Sequence, residues 1–387
     1  MDFALSPEAR LIQDTARRLA TEKIAPLAAA LDRGEGRAAF LDNLKMLAEH
    51  GFMGLGVPAE LGGTEAGTIA FALVIEDLAR ACAATAVTTS VTNMVAEVIT
   101  AVGTPAQKAA HVTAICDGTY AAGAFCLTEA GAGSDPAGMK TRARADGDGF
   151  VIDGEKIYIT SAEYAGVFVV WAVTDPDAPK GKGISCFLVP AGTPGLIIGR
   201  AETKMGQTGS ATNVVTFDGC RVGPDALMGR LNDGFRIAVA ELAGGRIGVA
   251  ALSLGIARAA MDTAKRYIVE RRQFGQAIAD MQGIQWMVAD RETELEAARL
   301  LILQAAWLKE TGQPFAKEAS MAKLYASEAA GRATDTAVQL LGGAGYCADY
   351  PVERHMRDAR ITRIYEGTSE IQRLIIARET FRNLANV

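Results

Sequence analysis

The sequence predicts a mainly helical protein with a central β domain, in the order helices, compact sheet or barrel, helical bundle. Three observations predict it. Apolar residues recur at helical spacing through the first ~120 residues and again from about position 234. Between them, short β-branched and aromatic runs are separated by turn residues. The chain has 387 residues, enough for two or three domains at about 150 residues each. The expected domains are 1–120 (helical), 121–228 (β) and 229–387 (helical bundle).

The first helix is signalled by Ser6-Pro7-Glu8: a capping hydroxyl, a proline in the first turn and an acid near the positive end. Leu11, Ile12, Thr15 and Leu19 continue it at helical spacing. Residues 51–63 form a glycine-rich break, 68–81 are helical again, and 87–102 are apolar on most faces, as in a buried helix. In the β region, Phe150-Val151-Ile152 and Ile157-Tyr158-Ile159 flank Asp153-Gly154, which predicts a hairpin turn there. Residues 167–173, 184–189, 196–198 and 214–217 read as further strands, with a Pro/Gly/Lys-rich loop at 175–183. In the last third, the stripe Ile284, Met287, Arg291, Leu295, Ala298, Ile302, Ala305, Leu308 marks one helix. Residues 321–341 mark another, stopped by Gly342-Gly343, and 369–386 the last.

Composition narrows the function classes. The chain is 49% apolar and 22% charged, ordinary for a globular protein. A net charge of -6 argues against a broad nucleic-acid or anionic-membrane surface, while leaving room for a local basic patch around a phosphate. Cys82, Cys116, Cys126, Cys186, Cys220 and Cys347 include no C-x-x-C pair and stand in apolar surroundings, so buried reduced thiols are expected. The three histidines, His50, His111 and His355, are too scattered for a metal cluster or a Ser-His-Asp site. MDFALSPEAR has neither a basic segment followed by an apolar run nor an Arg/Ser-rich character. With no run of 18 uncharged apolar residues, no membrane span is expected. The expected location is the bacterial cytoplasm, with a matured mitochondrial matrix protein as the other compatible reading.

Four segments carry candidate chemistry. In Phe125-Cys126-Leu127-Thr128-Glu129-Ala130-Gly131-Ala132-Gly133-Ser134-Asp135, a strand runs into a glycine-rich turn with hydroxyls, either an ordinary tight turn or a phosphate-binding nest. Lys156 to Ser161 alternates an aromatic, Tyr158, with hydroxyls; it reads as a half-buried strand or as cover for a flat ring. Glu270-Arg271-Arg272-Gln273-Phe274-Gly275 ends a helix, either as a solvated, dipole-favoured terminus or as a phosphate-binding arginine pair. In Ile364-Tyr365-Glu366-Gly367-Thr368-Ser369-Glu370-Ile371-Gln372, Ser369 and Gln372 fit a capping box. Glu366 then stands on the preceding turn, as a dipole-complementing acid or as a general base.

Taken together, these segments resemble the acyl-CoA dehydrogenase family over essentially the whole chain. The most specific matches are LTEAGAGSD (127–135), RRQFG (271–275), LGGAGY (341–346) and RDARITRIYEGTSEIQR (357–373). The resemblance implies an N-terminal helical domain, a middle β-barrel-like domain and a C-terminal four-helix bundle, with FAD between the last two and partly across a subunit boundary of a homotetramer. It implies Glu366 as the base that removes the thioester α-proton, with hydride passing to flavin N5 and electrons to an electron-transfer flavoprotein. Phe125, Leu127, Thr128, Tyr158 and Thr160 are implied near the flavin, Ser134 at the junction of FAD and CoA, and Thr368 and Glu370 at the FAD nucleotide. Arg271, Phe274, Gln282, Gln339, Gly342 and Gly343 are implied on the FAD of a neighbouring subunit. Arg246 and Gly367 are implied beside the acyl-CoA. This chain has Ala130 where the family often has proline, Tyr158 for a frequent tryptophan, and Ala243 for an acid or amide near CoA. Ala243, Gly244 and Gly245 offer no alternative carboxylate, which favours Glu366. The run 244–250 and the tail look most like short-chain and short branched-chain members. An acyl-CoA oxidase, a desulfinase-type relative and a non-catalytic scaffold are the competing readings.

Overall fold

The computed structural model describes residues 4–385. Its N-terminal region is helical: α1 (Pro7–Leu19), α2 (Arg37–Glu49), α3 (Gly67–Ala81) and α4 (Ala83–Val102). The Ser6 hydroxyl caps α1 by accepting from the Ala9 N–H at 3.1 Å. Both α3 and α4 are buried on most faces, as the apolar run 87–102 predicts for α4. The middle region is one eight-stranded sheet: β1 (Ala122–Cys126), β2 (Arg142–Asp146), β3 (Gly149–Thr160), β4 (Ala165–Val173), β5 (Ile184–Pro190), β6 (Leu196–Ala201), β7 (Thr212–Val222) and β8 (Leu227–Met228). The strand order is β6-β7-β3-β2-β4-β5-β8, with β1 pairing in parallel with β4.

The C-terminal region packs α5 (Gly234–Glu270), α6 (Gln282–Glu310), α7 (Ala316–Leu341), α8 (Val352–Arg360) and α9 (Ser369–Ala385). The 37-residue α5 is its axis and packs on α3, α4, α6, α7 and α8. By length and composition α5 is apolar enough to cross a membrane, but 78% of its most apolar window is buried inside the fold, as in a core helix. The main core runs from α1 through α5 to α7, while a second cluster fills the far face of the sheet. Trp171 on β4 is fully buried and donates from its indole N–H to the Gly234 carbonyl at 2.8 Å, fixing the start of α5 against the sheet.

The structure departs from the expected elements in four places. Asp153-Gly154 is not a hairpin turn: β3 runs straight through it, and the hairpin joins β2 to β3 earlier, with Asp146 paired to Gly149. Gly154 is instead a bulge, with φ +147 and a register shift against β7. There, a β-carbon would meet Thr141 at 2.6–2.8 Å, so the glycine serves close approach rather than reversal. β2, a strand of alternating arginine and alanine, has no apolar run to announce it. Cys347 is exposed, unlike the other five cysteines, because residues 346–350 lie on the surface. The S-x-x-Q box between Ser369 and Gln372 does not form. Thr368 takes the capping role, its hydroxyl accepting from the Ile371 N–H at 3.4 Å, while the Ser369 hydroxyl donates to Glu328 at 2.7 Å. The expected end of the last helix at Asn386 lies outside the described residues.

Replacing Gly154 with valine should cost about 1–3 kcal/mol, because the new side chain must displace Thr141 from a backbone conformation that disfavours any β-carbon. Urea unfolding should show a lower midpoint with an unchanged slope.

Candidate functional site

The glycine-rich loop is anchored from beneath. Lys156 on β3 is fully buried, and its ammonium donates to the Leu127 carbonyl at 3.1 Å and to the Glu129 carboxylate at 2.8 Å. Glu129 also accepts from the N–H groups of Lys140 and Thr141 at 2.6 and 3.0 Å. Burial opposes ionisation of Glu129, but Lys156 and these donors outweigh it and hold the carboxyl below its usual range. The Ile157 N–H donates to the Thr128 carbonyl at 2.9 Å, tying the loop to β3. Thr128 and Tyr158 are thereby brought to one edge of the sheet. Above this base, Gly131 and Gly133 face open space, and Ser134 is exposed.

Tyr158 is 63% exposed and has φ +59, at a register shift that turns its ring away from the pleat. Thr160 is half-buried at the strand end, and the buried Ser161 hydroxyl next to it has no hydrogen-bond partner. Leu127 is buried, and Phe125 packs on Trp171 with ring centroids 4.3 Å apart, so these two support the loop from the core side.

Glu366 sits on the turn before α9, where it and Gly367 have φ +55 and +90. The turn is held by Gln372, whose amide donates to the Glu366 and Gly367 carbonyls at 3.1 and 2.8 Å, and by Lys323 on α7, which donates to the Gly367 carbonyl at 2.8 Å. One Glu366 carboxylate oxygen is buried with no hydrogen-bond partner. It lies against Gly245 on α5, where a β-carbon would stand 3.2 Å from it and 2.8 Å from the Met94 sulfur. Burial raises the Glu366 pKa, opposed by the charges of Arg246 and Lys323. Arg246 is 7% exposed, and its Nε is also unpartnered. Thr368 and Glu370 flank the turn, with the exposed Glu370 carboxyl held low by its own N–H and the Thr368 hydroxyl.

α5 does carry a carboxylate near the turn: Glu241, one helical turn before Gly245. Burial and the charge of Glu97 raise its pKa, Lys309 opposes them, and Glu366 adds to the rise. Lys309 and Glu97 form an ion pair at 2.5 Å beside Gly244.

The remaining expected residues are elsewhere. Arg271 caps α5, and Phe274 and Gly275 turn the short hairpin β9 (Arg272–Gln273) and β10 (Gln276–Ala277), leaving Phe274 94% exposed. Gln282 opens α6 and Gln339 closes α7; Gly342 and Gly343 follow, all exposed at the same end of this antiparallel pair. Along α5, the 26 residues from Gly245 to Arg271 span about 39 Å at 1.5 Å per residue. Glu366 and this outer group therefore belong to different places on one chain. Sequence reasoning passed over Lys323, whose signal was a charge on the buried alanine face Ala319, Ala322, Ala326, Ala330. It also passed over Lys156 and Glu129, which look like surface charges in a strand and a turn.

The N-terminal, middle and C-terminal domains described for acyl-CoA dehydrogenases match residues 6–119, 124–220 and 232–381. The chain belongs to the acyl-CoA dehydrogenase family, whose members are FAD-dependent oxidoreductases. It is 43% identical to the acryloyl-CoA reductase (NADH) of Anaerotignum propionicum, over 99% of this chain and 96% of that protein. It is 41% identical to the short-chain specific acyl-CoA dehydrogenase of Clostridium acetobutylicum, over 99% and 100%. Among solved structures, butyryl-CoA dehydrogenase from Megasphaera elsdenii superposes with a TM-score of 0.94 at 37% identity, covering 98% of this chain and 100% of that one. A chain from work on the electron transferring flavoprotein of Acidaminococcus fermentans gives 0.96 at 40%, covering 99% and 100%.

Replacing Glu129 with glutamine should destabilise the protein by about 3–5 kcal/mol, because it leaves Lys156 charged and buried without its counter-ion. The wild-type carboxyl is held low, so its contribution is full above the ordinary carboxylate range and fades as pH falls through the lowered folded value. Denaturant unfolding across acidic pH should show this fade in the wild type and not in the variant.

Proposed function

We propose that the chain removes the α and β hydrogens of a short or short branched-chain acyl-CoA to give the trans-2-enoyl-CoA, with Glu366 as the base. The observation that carries this reading is the Glu366 carboxylate itself: buried, with one oxygen free of partners, and close against a helix whose glycine permits that approach. Burial makes a carboxylate more basic, while Arg246 and Lys323 keep the ionised form accessible. A low-polarity pocket also strengthens whatever hydrogen bonds stabilise the enolate-like charge.

The residues present fit FAD. The open glycines at 131 and 133 and the exposed Tyr158 ring leave a cradle uncovered at the edge of the sheet, and the nearby Ser161 hydroxyl is buried without a partner. Phe125, Leu127, Thr128, Ser134, Tyr158 and Thr160 would hold it from the sheet, with Thr368 and Glu370 from the turn. Bound there, the cofactor would supply a hydride acceptor for the substrate β-hydrogen, a redox chemistry that no side chain here supplies. The distance along α5 supports placing Arg271, Phe274, Gln282, Gln339, Gly342 and Gly343 on the FAD of a second copy, within a homotetramer. Ser134, Arg246 and Gly367 complete the acyl-CoA site. Likeness to the chain from the Acidaminococcus electron transferring flavoprotein work supports a flavoprotein as electron acceptor. The butyryl-CoA and short-chain relatives support a short acyl group.

A second reading has one specific observation behind it: likeness to a relative named as an acryloyl-CoA reductase (NADH), which points to the reverse direction. A panel of saturated and unsaturated thioesters separates the two. Bleaching of the bound flavin by saturated short-chain thioesters supports dehydrogenation; reaction only with enoyl thioesters and NADH supports reduction. Glu366→Gln should keep FAD bound and slow flavin bleaching by about 10²–10⁴-fold, the scale for losing a general base. Bleaching at the wild-type rate would place the base elsewhere.

A further inference from the structure

Lys323 is shut off from water and has no carboxylate as its direct partner. It stands on the buried face of α7 among alanines, with 0% of its surface accessible. Its hydrogen bond goes to a neutral acceptor, the Gly367 carbonyl, at 2.8 Å. Among the described residues, the nearby carboxylates Glu328 and Glu370 pair with arginines, Arg363 and Arg373, rather than with this lysine. Burying an ammonium in this way is costly, so something must hold it there. The charged groups that face it are Glu366 on the turn, Arg246 on α5, Glu328 on its own helix and Glu370 on α9, with Glu366 the strongest attraction.

The turn needs such a hold. A non-glycine residue at φ +55 is strained by about 1–3 kcal/mol. Two donors, Lys323 and Gln372, converge on the Gly367 carbonyl and fix the peptide between Gly367 and Thr368, while Gln372 also holds the Glu366 carbonyl. Glu328, further along α7, accepts from the Ser369 hydroxyl and from Arg363, so one helix grips both flanks of the turn. Gln372 supplies orientation without charge. Lys323 supplies both.

We propose that Lys323 is a positioning residue of the proton-abstraction step: its ammonium orients the Glu366–Gly367 turn and brings a positive charge to bear on the base. This rests on Glu366 being the base. Burial lowers the lysine pKa to about 8, so the charge that supports Glu366 is itself lost at mildly alkaline pH. Losing it raises the pKa of Glu366, because one of the two opposing cations is gone. Arg246 remains.

The test is the pH profile of the holoenzyme from about pH 5.5 to about pH 9, read as flavin bleaching and as exchange of the substrate α-proton with D2O. Lys323→Met should move the acid limb upward by about one pH unit, a tenfold loss of rate at the acid end, with FAD content retained. The wild type should change rate near the lysine pKa of about 8. Lys323→Arg should leave the acid limb in place and remove that alkaline change, because a guanidinium keeps its proton there. An acid limb unmoved in Lys323→Met overturns the charge role, whatever the change in maximum rate. If Lys323→Met does not fold, the arginine variant decides: an alkaline change that persists in it overturns the proposal. Failure of the base assignment is distinguishable, because Glu366→Gln would then exchange the α-proton at the wild-type rate.

Discussion

The close approach of α5 to the Glu366 turn is the constraint on which the rest of the site depends. Gly244 and Gly245 let four side chains from other elements, Met94, Glu97, Lys309 and Glu366, come against the helix backbone. A methyl group at Gly245 would contact both the Met94 sulfur and the Glu366 carboxylate. The helix can sit so close because α3, α4 and α7 pack around it with small residues, much of the contact face of α7 being alanine. The position of the carboxylate is thus set by backbone proximity and by one strained turn, rather than by a direct ion pair.

A second constraint is buried in the sheet. Lys156 and Glu129 link β3, the glycine-rich loop and the segment entering β2 through a buried charge pair. Neither partner tolerates loss of the other. The exposed glycines and the Tyr158 ring are presented by this base, so the open surface above it inherits its rigidity.

The architecture was legible because its main elements carry strong periods. The apolar runs at 68–81 and 87–102 and the stripe from Ile284 to Leu308 each mark a helix that is present. The misreadings came from residues whose local chemistry fits two structures. Asp153-Gly154 has the composition of a turn but serves as a bulge, because its neighbour across the sheet is Thr141 rather than solvent. Ser369 and Gln372 have cap spacing, but Glu328 and the Glu366 and Gly367 carbonyls offer closer partners. Glu366 was visible in its motif. Lys323 was not, because a lysine in an alanine-rich helix looks solvated until tertiary packing covers it.

The separation of Arg271 from Glu366 has a consequence for the proposed homotetramer. With the hairpin on the FAD of a second copy, as proposed, one ligand would be gripped by two chains. Damage at the hairpin would then appear in the neighbour's pocket, and damage at the turn in the chain's own. Two differently broken polypeptides could therefore rebuild one working pocket between them, a complementation that a self-contained monomer cannot show.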